Sequence, residues 1–243
     1  MNIIYQDEDI IVVNKPPGVS AHGGQTVTGE TVSDFLVAHF PEIATVGDDP
    51  ANRPGIVHRL DKDTSGLMVA ARNQATFEAL KELFKTRKVE KIYWAIVCGT
   101  LPHARGVIAV PIGRLAAHPM KRGVEQAARE GEPRLGGRGR SRIRGARDAV
   151  TEYRVLKDGN VYSLVELTPK TGRMHQLRVH MKSIGHAIAC DQVYGGKNVC
   201  CPAGCHRQLL HARSLSFSFP EGRRLSFEAE VPEDFTVAEK LIL

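Results

Sequence analysis

Apolar and polar positions alternate along this chain in short runs, with a few stripes at helical spacing between them. Ile3 to Tyr5 and Ile10 to Val13 are apolar runs separated by the polar turn QDED, which predicts two strands. NKPPG follows, and its prolines and glycine end the second strand in a turn. ETVSDFLVAHF predicts a short helix with Val32, Phe35, Leu36 and Phe40 on one side. After Gly66 the run LMVAAR predicts a buried strand. Asn73 is a good N-cap for the helix QATFEALKELFKTRKV, whose Phe77, Leu80 and Phe84 fall on one stripe. In EKIYWAIVCG, Ile92, Trp94 and Ile96 face one way and Tyr93, Ala95 and Val97 the other, so one of Tyr93 and Trp94 is expected to face away from the core.

VTEYRVL and VYSLVEL predict a hairpin around Lys157-Asp158-Gly159-Asn160. Leu177, Met181 and Ile184, spaced four and three apart, predict a helix after the turn at Gly172. LSFSF and RLSFEAEV, joined by PEGR, predict a last hairpin. The pattern is that of a mixed, strand-rich unit without internal repeats. One domain over residues 1–243 is expected, broken by a Gly/Arg-rich insertion at about 122–147.

A chain of 243 residues, 42% hydrophobic and 25% charged, can bury a full core as a globular protein. No apolar run reaches the roughly 18 residues of a membrane span. MNIIYQDEDIIVV has acidic residues inside its apolar run and lacks the basic start of a signal peptide. A cytoplasmic protein without membrane partners is expected.

Charge narrows the partners. The net charge of +6 favours a polyanion such as nucleic acid. From Arg129 to Arg147, REGEPRLGGRGRSRIRGAR sets seven arginines among glycines with almost nothing apolar. Such a segment buries too little surface to offset its ordering entropy, so a mobile loop is expected. It is either a tolerated insertion or a cationic arm for phosphates.

Five cysteines in a chain without an export signal argue against a disulfide framework. Cys200, Cys201 and Cys205, followed by His206, could hold zinc, but C-C-x3-C-H matches no standard pairing of C-x2-C units. Loop thiols are the expectation.

The stretch GIVHRLDKDTSGLMV carries the candidate chemistry. Asp61, Asp63, Ser65 and Gly66 match the first half of a calcium loop, but its twelfth position is Arg72 instead of a bidentate glutamate. A metal-dependent phosphatase would need a buried strand before Asp61 and an acidic pair further on. VHRL is polar there, and Glu228 with Glu230 sit in the terminal hairpin. A third reading uses Asp61 alone, as a carboxylate aimed and kept ionised by cations such as Arg59 or those of GRMHQLRVH. Asp61 could otherwise be a turn residue like Asp63, Thr64 and Ser65.

HRLDKDTSGLMVAARN resembles the catalytic motif of the RluA-type RNA pseudouridine synthases. VVNKPPGVSAH resembles the first motif of that family and KIYWAIVCG its tyrosine-bearing strand. LTPKTGRMHQLRVHMKSIGHAIACDQVYGG resembles its third motif, and RQLLHARSLSF with VPEDF its C-terminal end. The resemblance runs in order from about Tyr5 to Phe235. It departs from the family pattern most between Lys121 and Arg147, and it leaves the cysteine cluster unexplained. The S4-type domain of some members is not expected, because Met1 lies almost at the first strand.

The resemblance implies an α+β pseudouridine synthase fold, a mixed and mostly antiparallel sheet in two abutting subdomains with a central catalytic cleft. It implies isomerisation of uridine to pseudouridine in ribosomal or transfer RNA, by a protein expected to be a monomer and to need no cofactor or metal. Asp61 is then the catalytic carboxylate, Tyr93 stacks on the target base and takes part in removing its C5 proton, and Arg178 pairs with Asp61. Arg59 fills the space left by the flipped nucleotide. His58, Arg173 and His175 are candidates for RNA contacts or for buried structural roles. Lys15 is structural or phosphate-facing. A non-catalytic RNA-binding protein of the same fold is the alternative.

Overall fold

The computed structural model describes residues 1–24, 27–124, 143–197 and 199–242. The first apolar runs form β1 (Asn2–Gln6) and β2 (Ile10–Lys15), followed by α1 (Val32–His39) and a 3-10 turn at Pro41–Thr45. Thr31 and Asp34 cap α1 reciprocally, each side chain bonded to the other's backbone N–H. Next come β3 (Ser65–Ala71), buried along its whole length, and α2 (Gln74–Lys85). The Asn73 side chain accepts the Thr76 N–H at 2.9 Å, a cap worth about 1 kcal/mol.

β4 (Glu90–Cys98) leads through β5 (Arg105–Ile108), β6 (Ile112–Leu115), β7 (His118–Val124) and β8 (Ile143–Arg147) to the hairpin of β9 (Thr151–Lys157) and β10 (Tyr162–Pro169). After α3 (Gln176–Ser183) the chain closes with β11 (Leu210–Ser218), β12 (Arg224–Glu228) and α4 (Glu233–Lys240).

Nine strands make one sheet in the order β1-β2-β3-β11-β4-β10-β9-β5, with β12 paired to β11. β3 and β11 run parallel, and the other pairings among the described strands are antiparallel. Alternation sends Ile11, Val13 and Met68 into a core under α1, and Ile10, Val12, Leu67 and Val69 into one under α2. In the other half, Ala95, Val97, Val165 and Leu167 pack with Leu177 and Met181 of α3, while Ile96 and Leu164 pack with Phe235 and Ala238 of α4. Helices thus cover both faces of the sheet. Tyr93 is shared between the α1 and α3 cores, and Trp94 packs into the α4 core under Arg213, at 5.2 Å. Both rings are partly buried against these cores, because helices cover the sheet on both sides, so neither leaves the core outright as expected for one of them.

Three further expectations change. The helical stripe of α3 is Leu177 and Met181 only, since Ile184 lies past the last turn and is 36% exposed. The insertion is not loop throughout: β7, β6 and β8 form a three-stranded sheet, so 122–124 and 143–147 are strands. Ile143 fits there because a Cβ added at Gly113 would meet its side chain at 2.4 Å; the glycine leaves that space open. The arginines between 125 and 142 lie outside the described residues.

The cysteines are not loop thiols. Cys98 is bonded to Cys200 and Cys190 to Cys201, leaving Cys205 as the buried free thiol. Partners 102 residues apart meet because β4 and the loop before β11 share one core, which local spacing cannot show. Among the described residues, no group of three or more His, Cys, Asp or Glu could hold a metal ion, and no helix is long and apolar enough to cross a membrane.

Candidate active site

Gly66 sets the site in place. Its φ is +114°, and a Cβ there would stand 2.4 Å from the Ala212 carbonyl oxygen, so only glycine lets β11 run against the start of β3. The turn before it, closed by the Thr64 N–H on the Asp61 carbonyl at 3.1 Å, carries Asp61.

Two cations hold that turn. Lys15 is fully buried, and its Nζ donates to the carbonyls of Pro16, Val19 and Lys62 at 2.8–2.9 Å. Burial pushes its pKa down to about 7, while three acceptors for three N–H groups are the setting of a charged ammonium ion. Of its two readings, Lys15 is structural. Arg207, paired with Asp234, donates to the Asp63 carbonyl at 3.0 Å from the other side.

Asp61 projects into an open cleft of about 1070 Å³ between the β3–α2 half and the β10–α3 half of the molecule. Arg178 reaches it from α3, with NH1 donating to Oδ2 at 2.8 Å. The same guanidinium donates through Nε and NH2 to the two oxygens of Asp191, at 2.7 and 2.9 Å. Burial would raise the Asp191 carboxyl; Arg178 and the backbone N–H groups of Val193 and Tyr194 outweigh it and hold the group below its usual range. Burial also opposes the charge on Arg178, and the two carboxylates more than restore it. The Arg178 guanidinium stacks on the Tyr194 ring, 5.1 Å from its centroid.

Tyr93, on β4, lines the cleft half-buried. Burial first, and then the charge of Asp61, raise its pKa, so the phenol is neutral. His175 stands at the start of α3 with a left-handed backbone (φ 57°), its Nε2 3.8 Å from Asp61 Oδ1 and its Nδ1 2.8 Å from the Tyr194 hydroxyl.

The other candidates line the rim. Arg59 is exposed and meets the His22 ring at 3.1 Å. The Nε2 of His58 accepts the Val69 N–H at 3.0 Å, and its ring stacks on Phe84, centroids 4.6 Å apart. Burial holds its pKa down to about 3, which keeps that nitrogen an acceptor. Arg173 donates from Nε to the Asp148 carbonyl at 3.1 Å. Lys85, Arg87, Lys91 and Lys170 add positive charge to the walls.

The structure therefore brings Asp61, Tyr93, Arg178 and His175 to one cleft, with Arg59, His58 and Arg173 around it. Sequence reasoning missed Asp191, Tyr194 and Arg207, and left the role of Lys15 open. Asp191 and Tyr194 stand in the DQVYGG end of a block read as a motif, so a signal for them was present.

A carboxylate bound to a buried arginine beside a tyrosine thus faces a basic cleft of this mixed sheet. Residues 9–183 match the family described as RNA pseudouridylate synthase. An uncharacterized RNA pseudouridine synthase of Synechocystis is 36% identical over 247 residues, covering all of this chain and 68% of that protein. A protein of Pseudomonas aeruginosa named ribosomal large subunit pseudouridine synthase D is 36% identical over 246 residues, covering 97% of this chain and 69% of its own. The solved structure of human RNA pseudouridylate synthase domain containing 4 superposes with a TM-score of 0.74 at 30% identity, over 97% of this chain and 90% of that one. The chain belongs to the RNA pseudouridine synthase family.

Proposed function

We propose that this protein converts specific uridines of ribosomal or transfer RNA to pseudouridine, with Asp61 as its catalytic carboxylate and without a cofactor. In that reaction the N1–C1′ bond breaks, the base turns, and a C5–C1′ bond forms as C5 loses its proton and N1, freed of the ribose, gains one. The observation that carries the reading is the 2.8 Å bond from Arg178 to Oδ2 of a carboxylate that lines the cleft. Arg178 pairs with the group and aims it for attack on, or proton removal from, the ribose.

Tyr93 offers a stacking face to the base, worth about 1–3 kcal/mol. Its hydroxyl, neutral at rest, enters C5 proton removal as a relay rather than as a preformed phenolate. Arg59, exposed at the rim, takes the space of the flipped nucleotide, and flipping is what frees the base from its stack. Lys91, Arg173 and their neighbours meet phosphates, so binding weakens as salt rises. Residues 1–243 act as one catalytic unit, as a monomer in the cytoplasm.

The test is tritium release from RNA containing 5-tritiated uridine. Asp61→Asn is expected to release none while keeping its fold and RNA affinity. Undiminished release from that variant sinks the assignment. The same outcome of no release from the unaltered protein, with RNA still bound, would favour a non-catalytic RNA-binding protein.

A further inference from the structure

We propose that His175 is a positioning residue for Asp61, held in the tautomer that carries its proton on Nε2, the nitrogen that faces the carboxylate oxygen Arg178 does not bond. This rests on the reading of Asp61 as the catalytic carboxylate.

The tautomer follows from counting protons at the Tyr194 hydroxyl. That oxygen accepts the backbone N–H of Arg122 at 3.0 Å and lies 2.8 Å from His175 Nδ1. A hydroxyl has one proton to give, and among the described residues Nδ1 is the acceptor within reach of it, so a phenol that uses its proton donates to Nδ1. The ring proton then sits on Nε2, the nitrogen that faces Oδ1 of Asp61 at 3.8 Å. This is longer than a hydrogen bond, as contacts of this kind often are before substrate arrives. Burial and the charges of Arg178 and Arg122 favour the neutral ring, against the pull of Asp61. A neutral N–H orients Oδ1 without taking up the carboxylate's charge, whereas Arg178 holds Oδ2 as an ion pair.

Two more features agree. His175 has a backbone φ of 57°, uncommon for a residue with a side chain and found where surroundings hold it in place. Tyr194 links the two grips: its hydroxyl sets His175, its ring lies under Arg178, and its backbone N–H bonds Asp191. One loop therefore orients both the arginine that bonds Asp61 and the histidine that faces it.

Nitrogen-resolved NMR of histidine-labelled protein without RNA reads the tautomer directly. The expectation is an unprotonated Nδ1 and a protonated Nε2 at neutral pH, with the preference lost in Tyr194→Phe. A protonated Nδ1, or an imidazolium, overturns the proposal while leaving the role of Asp61 untouched. In tritium release, His175→Leu and Tyr194→Phe are expected to lower kcat by about 10²-fold, the scale of a misplaced catalytic group, with KM for RNA unchanged. His175→Gln places an amide N–H near the Nε2 position and is expected to recover much of the rate, while His175→Asn, which matches Nδ1, is not. A loss confined to KM, or Gln no better than Leu, overturns the proposal in favour of an RNA contact. Full release from Asp61→Asn would instead overturn the reading beneath it.

Discussion

Arg178 binds both oxygens of Asp191 through two N–H groups and one oxygen of Asp61 through a third. The fully buried Asp191 is thus the main partner of the arginine, and the half-exposed Asp61 is the secondary one. Two carboxylates of the same chemistry carry different loads, and their removal should be felt differently.

Asp191→Asn takes the charge from a buried pair and leaves Arg178 short of a partner. Breaking such a pair costs about 3–5 kcal/mol, which denaturant unfolding would register. Asp61→Asn, which loses one bond at the edge of a cleft, is expected to cost about 1 kcal/mol. Both should depress tritium release, Asp191→Asn by about 10²-fold through misplacement of Arg178. Equal stability losses in the two variants would contradict this division.

Gly66 is where fold and site meet. Gly66→Ala would put a methyl group 2.4 Å from the backbone oxygen of Ala212, and neither strand can yield without moving the turn that carries Asp61. A loss of more than about 3 kcal/mol is expected, combining overpacking with backbone strain. Gly222→Ala is the comparison, since Gly222 also has a positive φ (94°) but nothing within 4 Å. It should cost only the backbone term, about 1 kcal/mol. A melting temperature for Gly66→Ala equal to that of Gly222→Ala would show that the close approach is unimportant.

Acid should destabilise the protein before its carboxylates titrate. His58 must stay neutral to accept the Val69 N–H, and burial holds its pKa to about 3 against 6.5 for the free group; His211, also buried, is held to about 4. Between those values and 6.5 the unfolded chain binds more protons than the folded one, so stability rises with pH. The contribution is complete above 6.5 and is lost as pH falls towards 3. The Asp7 and Asp9 carboxyls, held below their ordinary range, lose theirs at lower pH. Melting temperatures should therefore drop from pH 6.5 to 5, and His58→Gln should flatten that slope. An unchanged slope in the variant would remove His58 as its cause.

Much of the scaffold was legible because periodicity reports burial. LMVAAR reads as a buried strand and is one, and the alternation of β4 correctly sets Tyr93 and Trp94 on opposite faces. What periodicity cannot report is the partner of a polar residue. Lys15 and Asp191 are wholly buried, yet in the sequence they look like any surface charge, because the carbonyls and the guanidinium that satisfy them come from elsewhere in the fold. Asp61 stood out only through its motif. The helix carrying Arg178 was legible, but its contact with Asp61, 117 residues away, came from family resemblance and not from spacing.

The cysteines test a contact that spacing concealed. Cys190–Cys201 closes the loop that begins at Asp191 and contains Tyr194, and Cys98–Cys200 ties the end of that loop to β4, the strand of Tyr93. Both crosslinks therefore act on the groups that orient Asp61. Protein purified without reductant and then denatured should take up one thiol label, at Cys205, and five after reduction. Removing both bonds with a dithiol is expected to cost about 2–4 kcal/mol each, by freeing the unfolded chain. It should also slow tritium release, because Cys190 adjoins Asp191 and that carboxylate positions Arg178. Five labels without reduction would show that the thiols are free, as a cytoplasmic protein would ordinarily keep them. The loop would then be held by its hydrogen bonds, such as Cys190 N–H on the Cys200 carbonyl at 2.8 Å, and by its packing in the core of Ile96 and Phe235.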